Sequence, residues 1–263
     1  MVEMALRGLA TQRRVVHAVI LRELRTRFGA YQLGYLWAVI VPLLYILTLT
    51  ALYSSIGRQS AHGASIEVLL LSGVIVWLTF LDTQGVVSLS FQTNRPLLVY
   101  PMVAVTDIVI ARTLLELATK ACATIVIVLL YFFAGVDVRI DDPLGVILGG
   151  VAAGYLGMTF GHIVGCLTVL MPSTRFVILP IRRVLFFTSG AFFLLSDVPA
   201  EWRVYILYNP LAHVIDLTRG AWIASYSAPY GQPSYIFGAA LALTAAAAIA
   251  ELKCRGKRGG VRQ

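Results

Sequence analysis

Charged residues are scarce in this sequence of 263 residues: Asp, Glu, Lys and Arg together make up 13%. Soluble globular domains contain about 25% of these residues. Uncharged segments are correspondingly long, and three of them cover residues 28–57, 143–173 and 221–250. A helix needs about 20 apolar residues to cross the hydrocarbon core of a bilayer. With 59% apolar residues and a mean hydropathy of +0.82, the composition excludes a soluble globular domain and predicts an integral membrane protein.

Motifs of catalysis and nucleotide binding are also absent from the sequence. Lysine occurs only at positions 120, 253 and 257 and never before Ser or Thr, so there is no Gly-x4-Gly-Lys-Ser/Thr loop for ATP phosphates. There is no His-Glu-x-x-His and no Asp-x-Asp pair, and the three cysteines have no metal-binding spacing. We therefore expect a chain that is not an enzyme and holds no cofactor or metal. Any transport work would draw its energy from another component.

Six apolar segments are long enough to be transmembrane helices, which predicts an all-α membrane domain comprising the whole chain. A basic amphipathic helix over residues 7–28 precedes them, with an apolar residue at every fourth position. Such a helix suits the membrane surface or a protein partner. The predicted spans are 33–56, 68–91, 109–134, 144–170, 176–195 and 232–250.

Residues 196–228 form an insert that is too polar to span and too apolar for an ordinary loop. Asp197 followed by Pro199 predicts one helix start, and the pair Asn209-Pro210 predicts a second. We therefore expect a re-entrant insert of two short helices that enters the membrane from one side.

Basic residues predict the orientation of the chain. With six spans, both termini share one side. Thirteen Lys and Arg residues fall on that side, including those of the tail 251–263, and only four fall on the other. The positive-inside rule therefore predicts that the termini are cytoplasmic and that the insert lies on the opposite side of the membrane. The net charge of +8 therefore reflects topology and does not predict nucleic-acid binding.

Two adjacent arginines, Arg182 and Arg183, lie inside the fifth predicted span. A span starting after them would have 12 residues, or ~18 Å, which is short of the ~30 Å core. Each arginine at that depth costs about 2.5–3.5 kcal/mol unless it meets water or a partner. Further charges at similar depth complete a layer of four basic and two acidic side chains. The other members are Asp82, Arg112, Glu116 and Lys120.

Two interpretations of this charged layer are open. In the first, the side chains pair with one another and fix the register of the helices. Alternatively, the excess of two positive charges lines a hydrated entrance for an acidic substrate. A proton relay is disfavoured, because the two acids are readily explained as partners of the basic residues.

Glycine recurs along the fourth predicted span at helical spacings of three and four. Small residues repeated in this way let membrane helices approach closely. The pattern predicts packing inside one subunit or, alternatively, a seam between subunits. The glycines are Gly150, Gly154, Gly157, Gly161 and Gly165.

Three stretches of the sequence resemble the membrane subunits of type-2 ABC exporters, in the order that the family has them. RFGAYQLGYLWAVIVPLL (27–44) resembles the entry into their first span, and TNRPLLVYPMVAVTDIVIAR (93–112) resembles their cytoplasmic loop. YNPLAHVIDLTRGAW (208–222) resembles a segment of their periplasmic insert. The form NRPLLVYP is most similar to capsular polysaccharide permeases, with O-antigen and teichoic acid permeases close to them. The matching insert residues are Asn209, Pro210, His213, Asp216 and Arg219.

The resemblance implies a homodimer bound to two cytoplasmic ATP-binding subunits, which hold the ATP and Mg²⁺. The loop 93–106 would couple the permease to the ATPase, and the helix 7–28 would lie along the membrane interface. Periplasmic export proteins are further candidate partners. The residues implied for coupling are Asn94, Arg95, Pro96, Leu97, Tyr100 and Pro101.

The resemblance also implies a path for the polymer between the first and fifth spans of two subunits. Arg182 and Arg183 would face this path and bind phosphate and carboxylate groups. Aromatic rings would stack on sugars, although packing or a place at the membrane interface explains each ring as well. The candidate rings are Trp37, Tyr45, Trp77 and Phe186.

The predicted function is the permease subunit of an ATP-driven exporter of lipid-linked, acidic capsular polysaccharide across the bacterial inner membrane. A type-2 exporter of O-antigen, teichoic acid, a lipid or a drug is the first alternative. The second is a membrane-embedded polymer-processing enzyme, which needs an acidic pair at a sugar site. A secondary transporter is the third, and it usually has internal repeats.

Overall fold

The computed structural model describes residues 12–24, 34–57, 65–93 and 104–259, and within these ranges the regular structure is helical, with no strand. Residues 12–24 form helix α1. Five helices, at Leu36–Ser55, Ile66–Thr93, Val105–Phe133, Pro143–Leu170 and Pro233–Cys254, are long and apolar enough to cross a membrane. The predicted all-α class is confirmed. The remaining helices are α2 (Gly34–Ser55), α3 (Ile66–Thr93), α4 (Val105–Phe133), α5 (Pro143–Leu170), α6 (Thr174–Phe187), α7 (Ala200–Ile206), α8 (Pro210–Trp222) and α9 (Pro233–Gly259).

Local sequence fixes where several helices begin. α5 starts at Pro143, and the Asp142 side chain caps it by accepting a hydrogen bond from the next free amide at 3.1 Å. α8 starts in the same way at Pro210, with the Asn209 side chain as its cap at 3.0 Å. Proline suits the first helical position, because its missing N–H would have no partner there. The helix start predicted at Asn209-Pro210 is confirmed, and α7 begins directly after Pro199.

The fifth predicted span differs from the structure. α6 ends at Phe187, and residues 188–194 are not helical before a short 3-10 turn at Leu195–Asp197. The prediction of one continuous helix over 176–195 is therefore wrong in its second half. The physical reason is that backbone carbonyls of this segment are bonded by the Arg219 side chain instead of by amides of a following helical turn.

The helices run between two ends of a bundle, which we call the α1 end and the α8 end. At the α1 end, α1 contacts α4, and Cys254 of α9 shares an apolar cluster with Phe91 and Val105. At the α8 end, α8 packs against α3 and α5 and bonds the segment 190–193. Helix α1 and the C-terminal part of α9 thus lie at the same end of the bundle.

Helix α3 occupies the centre of the bundle, because glycines of α5 let its backbone come close. A Cβ atom on Gly157 would lie 2.6 Å from the carbonyl oxygen of Phe80, and one on Gly161 would lie 2.7 Å from that of Gln84. Both distances are too short for any side chain. The prediction that these glycines pack inside one subunit is confirmed, whereas Gly150 faces open space.

Replacing Gly161 by Ala is expected to lower thermal stability in detergent, because the added methyl group collides with backbone of α3 that cannot move aside. Overpacking of this kind costs about 1–3 kcal/mol. Gly150→Ala is the matched control on the same helix, and its melting temperature should match that of the native protein. Equal melting temperatures for both variants would contradict the proposed role of Gly161.

Candidate functional site

Four side chains of the predicted charged layer surround one cavity of about 470 Å³ towards the α1 end, which we call the charged cavity. Asp82 comes from α3, Glu116 and Lys120 come from α4, and Arg182 comes from α6. Trp37 of α2 lies at its edge. The Lys120 ammonium donates a hydrogen bond to the Asp82 carboxylate. The structure therefore brings together charged residues of three helices, and the first and last of them, Asp82 and Arg182, are 100 positions apart in the sequence.

The two adjacent arginines occupy different environments. Arg182 is half-buried and lines the charged cavity, with Asp82 as the acid that acts on it electrostatically. Among the described residues Arg182 makes no hydrogen bond, and its buried Nε has no partner. Arg183 is exposed and does not line the cavity. Among the described residues, Arg182 is therefore the member of the pair that lines the charged cavity with donors that have no partner.

Arg112 does not line the charged cavity, contrary to its place in the predicted layer. Its guanidinium donates to both carboxylate oxygens of Glu23 on α1, at 3.0 and 3.2 Å, and to the carbonyl of Val86 at 3.0 Å. A longer bond of 3.3 Å joins it to the Ser90 hydroxyl. Glu23, which lies outside the predicted layer, is therefore the partner of Arg112, and it also accepts a hydrogen bond from Arg22 at 3.3 Å.

A second contact fastens α1 to the start of α4. The Asp107 side chain accepts a hydrogen bond from the Ala104 amide at 3.0 Å and so caps α4. The same carboxylate accepts from the Gln12 amide at 3.1 Å. The face of α1 that contacts α4 thus carries Gln12 and Glu23. The apolar stripe predicted for this helix did not include these two polar residues.

A buried pair between α5 and α9 was not predicted from the sequence. The His162 Nε2 atom lies 3.1 Å from a carboxylate oxygen of Glu251, and both side chains are largely buried. The ring of Phe91 packs edge-on against His162. No local pattern signals this pair, because its two members are far apart in the sequence.

Arg219 organises the α8 end of the bundle. Its side chain is fully buried and donates hydrogen bonds to the carbonyls of Phe193 (3.0 Å) and Gly190 (3.1 Å), with longer ones to Ala191 and Leu69. The fork of guanidinium donors suits several carbonyls at once. Arg219 thus ties the chain after α6 to the start of α3.

The other predicted insert residues fix the loop that follows α8. Asp216 accepts hydrogen bonds from the Tyr226 hydroxyl and the Tyr230 amide. Burial, aided by the hydrogen bond to Asp216, raises the pKa of Tyr226. The His213 ring lies between the carbonyls of Leu207 (2.8 Å) and Tyr230 (3.0 Å). These residues of the insert are therefore structural in this chain.

The candidate aromatic residues divide by exposure. Trp37 and Tyr45 on α2 are exposed by 59% and 42%. Trp77 is buried, and its ring centroid lies 5.2 Å from that of the half-buried Phe186. Because Trp77 is buried in the core, a sugar could not reach its ring in this chain.

The predicted coupling residues all fall outside the described residues. They are Asn94, Arg95, Pro96, Leu97, Tyr100 and Pro101.

Comparison with known proteins identifies the family of this chain. The model of the family described as ABC-2 type transporter matches residues 14–222, a range that contains the charged cavity and most of the insert. The chain belongs to the ABC-2 type transporter family. The resemblance seen in the sequence is thereby confirmed.

Several relatives of this ABC-2 family member are similar along most of its length. It is 32% identical to the polysialic acid transport protein KpsM of Escherichia coli, over 85% of this chain and 86% of KpsM. It is 27% identical to the capsule polysaccharide export inner-membrane protein CtrC of Neisseria meningitidis serogroup B, over 87% and 86%. The O-antigen export system permease protein RfbA of Klebsiella pneumoniae is 25% identical, over 74% of each chain.

Removing one partner of the buried pair between α1 and α4 is expected to destabilise the protein. Arg112→Gln leaves the largely buried Glu23 carboxylate with a longer bond from Arg22 at 3.3 Å, so we expect a cost below the about 3–5 kcal/mol that is typical of a buried charge with no partner left. The double variant with Glu23→Gln should recover part of the lost thermal stability, measured in detergent. Arg13→Gln, at an exposed position of α1, is the control. A double variant less stable than Arg112→Gln alone would count against this pairing.

Replacing Arg219 by Lys is expected to destabilise the α8 end although the charge is kept. A lysine ammonium lacks the planar fork and cannot bond the same carbonyls together. We expect faster proteolytic cleavage within 188–232 and a lower melting temperature. Arg139→Lys is the control, since Arg139 has a side chain that is 92% exposed. Native resistance to protease in Arg219→Lys would refute the anchoring role.

Proposed function

We propose that this chain is the permease subunit of an ATP-driven exporter that moves a lipid-linked, acidic polysaccharide across the bacterial inner membrane. The observation that carries the proposal is its similarity along most of the chain to KpsM and CtrC, whose names specify transport of polysialic acid and of capsule polysaccharide. The similarity covers more than four fifths of each chain, and the family model matches residues 14–222, which include the residues that line the charged cavity.

The charged cavity supports an acidic polymer as substrate. Arg182 lines this cavity with N–H donors that have no partner among the described residues, and the exposed Trp37 lines the same cavity. A guanidinium binds carboxylate and phosphate groups through paired hydrogen bonds, and a sugar ring can stack on an indole. A path for a purely apolar substrate would gain nothing from a cation at this position.

The proposed transporter is a homodimer in which α2 and α6 of two copies line the path. Both helices present large apolar side chains that nothing in the described chain covers, such as Leu44 on α2 (54% exposed) and Val184 on α6 (62% exposed). Arg182 and Arg183 of α6 would then lie near the cytoplasmic mouth of the path. The α1 end is cytoplasmic and the α8 end periplasmic in this arrangement.

Energy would come from two separate ATP-binding subunits, which bind the ATP and Mg²⁺. Segment 94–101 would contact them, and α1 would lie along the membrane surface. Because Glu23 and Gln12 fasten α1 to α4, a displacement of α1 would be passed to the hairpin of α3 and α4. The path would alternately clamp and release the polymer, with no covalent chemistry in this chain.

Export of O-antigen is the second candidate function, favoured by the similarity to RfbA. It would use the same scaffold and differ only in the polymer. The two candidates are distinguished by which polymer accumulates inside cells that lack the gene.

Deletion of the gene is expected to remove the polymer from the cell surface and to accumulate it in the cytoplasm. Arg182→Gln should reduce export roughly tenfold, the effect of losing about 1.5 kcal/mol of charge-assisted bonding, while the protein still assembles with its ATPase. The readout is surface and cytoplasmic polymer in matched strains.

Arg183→Gln and Arg139→Gln are the controls for Arg182→Gln, because each removes one positive charge at a position that does not line the charged cavity. Arg183→Gln replaces an exposed residue of α6 and should reduce export less than Arg182→Gln. Arg139 lies at the α8 end, so Arg139→Gln should not affect export. Normal surface polymer in the deletion strain would refute polysaccharide export for that polymer. Normal export by Arg182→Gln would leave Arg182 with a structural role only.

A further inference from the structure

Helices α5 and α9 run side by side in the same direction and share one register. The hydroxyl oxygens of Tyr155 and Thr244 lie 2.8 Å apart, and the His162 Nε2 atom lies 3.1 Å from a carboxylate oxygen of Glu251. Both pairs join residues that are 89 positions apart in the sequence. Along each helix, the two contact residues are therefore separated by seven positions, or two turns. This spacing is typical of parallel helices that pack along a single seam.

The seam between α5 and α9 opens towards the α8 end. In the same register, the next pair of residues is Leu148 and Phe237, and their side chains are 57% and 67% exposed. Both residues line a cleft of about 850 Å³ between α5, α8 and α9, which we call the α9 cleft. Tyr155 lines the cleft as well, so the cleft ends where the contact between the Tyr155 and Thr244 hydroxyls begins.

The α9 cleft has the depth and length to hold an acyl chain. Its lining includes Leu156 of α5 and Val214 of α8, which are both buried. On α5 it extends from Asp142 to Tyr155, and over these positions a helix rises about 20 Å. One leaflet contributes ~15 Å to the hydrocarbon core. Because α5 and α9 are both long and apolar enough to span, the open side of the cleft faces the acyl chains of the leaflet at the α8 end.

A single carboxylate lies at the α8 end of the α9 cleft. Oδ1 of Asp142 accepts the hydrogen bond that caps α5, whereas Oδ2 has no donor among the described residues. No Lys or Arg of the described chain lines the cleft. A lipid head group that ends in a primary ammonium can donate a hydrogen bond to this carboxylate, whereas an anionic head group is repelled by it. The charge of the cleft therefore favours phosphatidylethanolamine over phosphatidylglycerol.

We propose that the α9 cleft binds one molecule of phosphatidylethanolamine from the leaflet at the α8 end. One acyl chain lies between α5 and α9, where it fills the open part of the seam, and the head-group ammonium donates to Asp142. No described residue of α2 or α6 lines this cleft, so the site is separate from the charged cavity and does not rest on the proposed function.

The first test compares two head groups on the same acyl chains. Full-length protein in mild detergent, stripped of lipid, is titrated with phosphatidylethanolamine or phosphatidylglycerol, and bound lipid is counted by native mass spectrometry. We expect one phosphatidylethanolamine per chain and about threefold weaker binding of phosphatidylglycerol, the effect of one exposed charge pair. Asp142→Asn keeps a capping side chain but removes the charge, so it should bind both lipids alike. Asp137→Asn is the matched control and should keep the preference, because Asp137 is 80% exposed and lies outside the cleft.

The second test fills the space that the acyl chain would occupy. Ala240 lines the cleft on α9, and Ala240→Leu should weaken binding of both lipids roughly tenfold, the effect of about two CH₂ groups that are no longer buried. Ala248→Leu is the control, since Ala248 is an exposed residue of α9 outside the cleft. It should bind lipid like the native protein.

A cross-linking arm keeps the proposal testable if Ala240→Leu fails to fold. Native protein in nanodiscs is irradiated with a phosphatidylethanolamine that carries a photoactivatable group on one acyl chain. We expect cross-links within 145–155 of α5 and 236–241 of α9, and unlabelled phosphatidylethanolamine should compete better than phosphatidylglycerol.

Four results would overturn the proposal. They are equal binding of the two lipids by the native protein, an Asp142→Asn variant that keeps the preference, unchanged lipid binding in folded Ala240→Leu, and cross-links confined to other segments. A change in oligomeric mass of Ala240→Leu with unchanged lipid binding would assign the cleft to a second copy of the chain instead. Normal surface polymer in the deletion strain would refute the proposed function and leave this lipid site unaffected.

Discussion

The close contact between α3 and α5 is the constraint on which the rest of the bundle depends. Glycines at 157 and 161 let the α5 backbone reach carbonyl oxygens of α3, which fixes the rotation of α3 about its axis. With Phe80 and Gln84 directed towards α5, Asp82 is directed towards α4 and α6. The charged cavity, which Asp82 lines together with residues of α2, α4 and α6, follows from this one rotation.

Charges inside the apolar helices then position the elements around α3. Each buried charge needs a partner in a medium of low dielectric constant, and the partners come from distant parts of the chain. Glu23 and Arg112 are 89 residues apart, and Asp82 and Lys120 are 38 apart. The pairing interpretation of the charged layer applies to part of it, and the interpretation of Arg182 as part of an entrance for an acidic substrate stays a prediction. Arg112 and Lys120 fix helix positions, whereas Arg182 retains free donors.

Features set by composition and local sequence were predictable, and features set by distant residues were not. Apolar length identified the spanning helices, and proline with a capping side chain identified the start of α8 at Pro210. The end of α6 could not be predicted, because residues 188–194 look as apolar as the helix before them. Its cause is Arg219, which bonds carbonyls that lie 26 and 29 residues earlier. Glu23 likewise looked like one residue of a basic surface helix until its partner was known.

The bonds of Arg219 also dictate an order of biogenesis. One of its acceptors, the Leu69 carbonyl, precedes it by 150 residues. During synthesis, the start of α3 and the chain after α6 must therefore remain in the membrane without this anchor until α8 has left the ribosome. A nascent chain arrested before Arg219 would therefore present an incompletely assembled α8 end to quality-control proteases.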